Sequence, residues 1–181
     1  LMDGFRDGDF PTNVDLAIGS DDGPRILNVS FSSVLRRHDG VIAPLRDVTE
    51  ERSLGRELTK TKEFLQRVID SSVDAIISAD MRGEVLLFNP AAEQTYVHRA
   101  EEVVVKLHVS KLYAPGRARE IMRRIRSAEH GGSGVLQGFD TEVRAKDGSD
   151  VPVTLSAALI VHRDRPIGSV GVFRDLRAKL H

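Results

Sequence analysis

The chain has 181 residues, with 26 Lys and Arg against 27 Asp and Glu, and neither cysteine nor tryptophan. A net charge of −1 supplies no global field toward nucleic acid or acidic membranes. The lack of cysteine excludes disulfides, thiolate metal sites, a cysteine nucleophile and a flavin bonded through sulfur.

In chain order, LMDGFRDGDFPT at 1–12 reads as loop. Three strand-like runs follow: NVDLAIG, the long RILNVSFSSVLRR, and VIAPLR, whose Pro44 marks an edge or bulge. Thr49 is then a candidate cap before Glu50 and Glu51. Leu54, Leu58, Thr61, Leu65 and Val68 recur at spacings of 4, 3, 4 and 3, predicting a helix over about 50–70 with one apolar stripe. That stripe fits a helix packed on its own domain, or a connecting helix paired with the same helix of a second subunit.

AIISAD and VLLFN read as two strands around a turn, after which Asn89 caps a helix that starts at Pro90. AEEVVVKL predicts one or two helical turns. GRAREIMRRIRSAEH predicts a longer helix, with Ala118, Ile121, Met122 and Ile125 as its apolar stripe and arginines elsewhere, stopped by GGSG. Three strands close the chain: VLQGFDTEVRA, DVPVTLSAALIV and IGSVGVFRD.

The chain also repeats itself. VSFSSVL at 29–35 matches VTLSAAL at 153–159 with an offset of 124; Asp22-Gly23 matches Asp147-Gly148 with 125; Leu45-Arg46-Asp47 matches Phe173-Arg174-Asp175 with 128. Residues 1–48 are therefore expected to be the C-terminal half of a domain, 49–69 a connecting helix, 70–176 a complete sister domain, and 177–181 the start of an exit helix.

The complete copy resembles a PAS domain. FLQRVIDSSVDAIISADMRGEVLLFNPAAEQTY is similar to the family's entry, AEEVV to its middle helix, and KDGSDVPVTLSAALI with IGSVGVFRDL to its hairpin and exit. Asp47-Val48-Thr49 resembles the Asp-x-Thr junction through which such domains pass to a signalling helix, making Asp47, Thr49, Arg174 and Asp175 junction residues. The resemblance implies an α+β fold, a five-stranded antiparallel sheet with helices on one face and often a small-molecule cavity between them. It also implies a sensory module of a multidomain bacterial signalling protein of the sensor histidine kinase type. Val97 and Val105 stand where the family usually has glycine. Since valine resists positive φ, the helical segment is expected to be re-routed there.

Residue chemistry narrows the ligand. Met122 falls where haem-binding relatives place a histidine, but a stripe methionine is usually core, so haem is not expected. None of the six histidines pairs at helical spacing, so no metal is expected. His108 and His130 read as solvent-facing. Ser71-Ser72 reads as a helix end. The arginines of the long helix are interleaved with Glu120 and Glu129 and lack an aromatic platform, so they read as a solvated face and no nucleic-acid partner is expected. Period-two counting joins Val153, Leu155 and Ala157 on one face, Val170 with Val172, and Ile77 with Ala75. With Leu87, Ile121, Met122, Ile125 and Phe139 these line either a pocket for a small apolar ligand or a filled core.

The expected function is thus a relay coupling ligand or partner state to helix packing and a downstream output domain, as a homodimer through the connecting helix. A ligand-free dimerisation or docking module is the alternative, and a small enzyme a remote one, because no nucleophile or acid-base set assembles. No apolar run approaches the ~20 residues that span a bilayer and no signal-peptide pattern is present. A cytoplasmic location is expected, within a parent polypeptide that could carry an anchor.

Overall fold

A computed structural model describes residues 12–19, 23–34, 40–127 and 134–177. The chain divides into two compact units, Leu1–Phe64 and Leu65–His181.

In the first unit the predicted runs become five short strands: β1 (Val14–Ile18), β2 (Arg25–Val29), β3 (Ser32–Val34), β4 (Gly40–Ile42) and β5 (Leu45–Asp47). They form a three-stranded sheet, β1-β2-β5, and a separate two-stranded ribbon, β3-β4. The long second run is therefore two strands rather than one, interrupted at Ser30-Phe31. The third run breaks opposite, at Ala43-Pro44, where proline cannot donate to a ladder. One bond crosses the break, from Ser30 N to Pro44 O at 3.4 Å.

Helix α1 (Thr49–Asp70) has 22 residues with Glu50 and Glu51 in its first turn and Arg67 in its last, charges that complement the helix dipole. Thr49 is its first residue rather than its cap. The Thr49 hydroxyl accepts from Ile26 N at 2.9 Å and donates to Asp47 Oδ1 at 2.6 Å. None of the residues of α1 is buried.

The second unit is built on a five-stranded antiparallel sheet in the order β7-β6-β10-β9-β8. Its strands are β6 (Ala75–Asp80), β7 (Val85–Phe88), β8 (Val135–Arg144), β9 (Asp150–His162) and β10 (Arg165–Asp175). Among the described residues, four helical segments lie between β7 and β8: α2 (Pro90–Tyr96), α3 (Ala100–Val103), a 3₁₀ turn (Val109–Leu112) and α4 (Arg117–Arg126). The core fills the space between helices and sheet with Tyr96, Leu112, Ile125, Leu136, Val153 and Leu155, all at most 2 % exposed. Each such side chain contributes about 1.5–3 kcal/mol over its exposed state.

Local chemistry explains where α2 begins. Asn89 caps it, with Oδ1 accepting from Ala92 N at 3.0 Å, and Pro90 occupies the first turn, where its missing N–H costs nothing. Asn89 does more than the sequence showed. Its Oδ1 also accepts from Ile76 N at 2.8 Å, while its Nδ2 donates to Ile69 O at 3.1 Å and Asp74 O at 3.2 Å. One buried amide thus ties the end of α1, the start of β6 and the start of α2 together.

The expected re-routing at the two valines does not occur. Val97 (φ 57°) and Val105 (φ 58°) adopt the left-handed geometry themselves. The neighbouring backbone leaves them little choice: Val105 N donates to Val85 O at 2.9 Å, and the adjoining Leu107 N donates to Val103 O at 2.9 Å. At position 97, the preceding Tyr96 O accepts from Lys146 N at 2.9 Å. The turn at Val105 also limits α3 to a single helical turn, the shorter of the two lengths expected from AEEVVVKL.

His130, Glu129, most of GGSG and the predicted exit helix beyond Arg177 lie outside the described residues. No helix among the described residues is long and apolar enough to cross a membrane.

Candidate ligand cavity and strand-to-helix junctions

Between α4 and the middle of the sheet lies an apolar cavity of about 50 Å³. Its presence follows from small residues placed on facing elements: Ala79 on β6, Ala157 on β9, Ser169 and Gly171 on β10, and Ala118 on α4. Larger neighbours on all sides are fixed by the core, so nothing collapses inward to fill the space. Gly171 leaves the least slack. A Cβ there would meet the Phe173 ring at 2.8 Å and Leu155 Cδ1 at 3.3 Å.

Of the ten residues predicted to line a cavity, seven do so: Ile77, Ile121, Met122, Ile125, Leu155, Ala157 and Val170. Three do not. Val172 pairs with Ile76 and Ser156, one residue out of phase with the buried Gly171 and Phe173. Leu87 stands opposite Ser78, and the bulge beside that pair lets Val85 and Phe88 take the buried places instead. Phe139 lies on β8, an edge strand, where the Arg124 guanidinium sits 4.6 Å over its ring. Sequence reasoning missed Ala79, Val109, Tyr113, Ala118, Ser169, Gly171 and Phe173. Periodicity on β10 favoured the valines over glycine and serine, although Phe173 on the same phase carried a usable signal.

Burial pushes the Tyr113 hydroxyl well above the ordinary phenol range, so it stays neutral beside the cavity. Met122 borders the cavity among apolar neighbours. The described residues contain no cluster of three or more His, Cys, Asp or Glu able to hold a metal. What the arrangement can do chemically is enclose a few apolar atoms.

An outer groove of about 710 Å³ shares Ala79, Val109, Tyr113, Ala118, Met122 and Ser169 with the cavity. His108, at its rim, is exposed but anchored: Nδ1 meets Ser110 Oγ at 2.7 Å and Nε2 meets Arg82 O at 2.9 Å. The two serines after α1 serve as end groups, Ser71 Oγ donating to Val68 O at 3.0 Å and Ser72 Oγ to Asp74 O at 3.0 Å.

The two Arg-Asp junctions are built alike, each within its own unit. Val48 N donates to Ile26 O at 2.9 Å, and Leu176 N to Pro152 O at 3.0 Å. Asp47 Oδ1 accepts from Thr49 N at 3.0 Å, and Asp175 Oδ1 from Arg177 N at 2.8 Å. Each aspartate is thereby held below the usual carboxylate range: Asp47 chiefly by the Thr49 hydroxyl, Asp175 chiefly by the Arg177 guanidinium. Arg174 also reaches back to Asp74, at 3.1 Å, which links the last strand to the entrance of the first.

The sheet registers run in parallel as well. Leu27 pairs with Asp47 and Val29 with Leu45, as Val153 pairs with Asp175 and Leu155 with Phe173. Asp15 opposite Asn28 corresponds to Asp140 opposite Thr154, and both pairs are bonded, at 2.8 and 2.7 Å. This register aligns Val29 with Leu155, an offset of 126 rather than the 124 read from the letters. The slip of two preserves the face of the strand.

Known proteins show the same architecture. A PAS domain from Colwellia psychrerythraea is 24% identical, covering 64% of this chain and 96% of its own, with a TM-score of 0.55. A PAS domain of an HTR-like protein from Haloarcula marismortui is 15% identical, covering 68% of this chain and 98% of its own, with a TM-score of 0.56. A PAS domain from a two-component sensor histidine kinase is 16% identical, covering 65% of this chain and 97% of its own, with a TM-score of 0.51. In sequence, the probable diguanylate cyclase DgcE of Escherichia coli is 26% identical over an alignment of 174 residues that covers 92% of this chain but 15% of that protein. The chain thus spans a small fraction of its relative's length. The model of the PAS fold matches residues 63–176, and the chain belongs to the PAS family.

Proposed function

We propose that the chain is a sensory relay module that converts the state of its PAS core into altered packing of α1 and of whatever follows Arg177. The observation that carries this reading is α1 itself. Leu54, Leu58, Leu65 and Val68 form an apolar stripe on a helix without a buried residue, and Leu58 is 71% exposed. The same helix of a second copy is the partner that would cover such a stripe, at heptad spacing. The matching junctions support a second part of the proposal: residues 1–48 are the C-terminal half of a preceding PAS domain, handing over to 49–69 as 70–176 hands over to 177–181. The output domain is assigned to the class of the relatives, a histidine kinase or a diguanylate cyclase.

The cavity supports sensing of a small ligand only. Sites for drug-sized molecules and cofactors occupy roughly 300–1,000 Å³, so the inner cavity of about 50 Å³ by itself takes only a few atoms of a ligand. That same figure favours the second reading, a ligand-free dimerisation or docking module with a nearly filled core.

Light scattering across dilution tests the helix pairing. The 181-residue chain should pass from dimer to monomer, and Leu58→Lys should leave it monomeric without lowering the melting temperature of the monomer. A strict monomer at high concentration overturns the pairing.

A further inference from the structure

The outer groove differs in chemistry from the cavity it adjoins. Arg82, Lys111, Arg119 and Arg144 line it against the single carboxylate of Asp80. Two of the cations are already engaged, Arg82 with Asp80 at 3.3 Å and Arg144 with Asp150 at 2.6 Å. The Asp80 carboxylate also accepts from Arg82 N at 2.9 Å and Glu84 N at 2.8 Å, so it stays ionised and its charge is offset by those N–H dipoles and by the Arg82 guanidinium beside it. Lys111 and Arg119 are exposed and have no ion-pair partner among the described residues. Arg119 also lines a neighbouring cleft with Arg123 and Arg126, so positive charge extends along one side of α4.

This charge stands at the mouth of an apolar space. The inner cavity of about 50 Å³ has room for three to five atoms, since a water-sized atom needs about 10–15 Å³ on the same measure. A molecule that satisfies both regions carries a short alkyl end and one negative end.

We infer that cavity and groove together form one site for a short-chain aliphatic carboxylate, with its alkyl end among Ala118, Met122 and Ala157 and its carboxylate at Lys111 and Arg119. The inference rests on the sensing reading above and gives that reading a ligand class. A polyanion or phosphorylated ligand would use the groove and ignore the cavity, while a neutral alcohol would do the reverse. The continuity of the two spaces through Ala79, Val109 and Tyr113 is what selects a molecule with both features.

Calorimetric titration of the 181-residue chain with sodium butyrate tests the site, with n-butanol and inorganic phosphate titrated in parallel. Butyrate should bind saturably, at one per chain, and about tenfold more tightly than either control. Lys111→Gln combined with Arg119→Gln, both on exposed positions, should weaken butyrate about tenfold and leave n-butanol unchanged. Equal binding of n-butanol shows that charge is not read and overturns the inference. So does equal binding of phosphate, which shows that the alkyl end is not read, or the absence of saturable butyrate binding. If butyrate fails while the chain still dimerises through Leu58, the ligand class falls and the relay stands. If butyrate binds a strict monomer, the relay through α1 falls and the ligand class stands.

Discussion

Substituting Val105 by asparagine should stabilise the second unit. A β-branched residue in the left-handed region costs about 1–2 kcal/mol, because Cβ crowds the following carbonyl. Val105 stands there at φ 58° with 63% of its surface exposed. Complete burial of a valine side chain contributes about 1.5–3 kcal/mol, so the covered third contributes roughly 0.5–1 kcal/mol. Asparagine tolerates the left-handed region, retains part of that cover and leaves the Val105 N bond to Val85 O intact. The balance is a gain of about 1 kcal/mol. Glycine would relieve the strain fully but lose all the cover and another ~0.4–1 kcal/mol in unfolded-state entropy, ending near zero. Urea unfolding at constant m-value reads the difference as a shift in midpoint. A lowered midpoint for Val105→Asn would refute the assignment of strain to this residue, and with it the explanation of how the chain accommodates valine here.

Four further outcomes follow from particular contacts. Asn89→Ala removes four hydrogen bonds from a site 1% exposed and should cost about 3 kcal/mol or more in thermal unfolding; a loss under about 1 kcal/mol would show that water replaces the amide. Gly168→Ala places a Cβ 2.6 Å from Ala79 O, between adjacent strands, and should cost about 1–3 kcal/mol, so an unchanged melting temperature contradicts the close approach. Arg163 and Asp164 turn the β9-β10 hairpin at φ 48° and 60°, the geometry that asparagine and glycine prefer. Arg163→Asn with Asp164→Gly should therefore raise the melting temperature, and a lower one would mean that this turn is not strained. Finally, Lys146, then the Arg99 amide, hold the Glu102 carboxyl down at about 2, from an ordinary 4.5. Because that folded-state value is depressed, its stabilisation is complete above pH 4.5 and is lost as pH falls toward 2. The difference in melting temperature between the native chain and Glu102→Gln should narrow over that interval, and a constant difference contradicts the ion pair.

Legibility varied with how strongly each element advertises itself in side-chain chemistry. Asn89-Pro90 announced α2 through a cap and a fixed φ, and the repeated turn at Asp147-Gly148 announced a hairpin. Strand phase on β10 was misread because its inner face carries Ser169, Gly171 and Phe173, while Val170 and Val172 fall on the alternate positions, although Val170 still borders the cavity. A cavity is made where side chains are small, and alanine and glycine leave almost no hydropathic trace. Bulges hid the rest: those beside Ser78 and between Leu136 and Phe139 shift the inward phase by residues that no two-residue period anticipates. The multiple bonding of Asn89 was illegible for another reason, since three of its partners are backbone groups of elements whose meeting depends on the whole fold.

The arrangement around Asn89 has a mechanical consequence. A helix end gripped by one planar amide is mounted on a swivel rather than welded. Its nitrogen holds Ile69 O and Asp74 O together, so a twist of α1 that relaxes one bond must stretch the other. On the far side of the same plane, the oxygen holds Ile76 N and Ala92 N. Beside the covalent link through residues 71–74, one side chain thus joins the end of the helix to both the leading strand and α2.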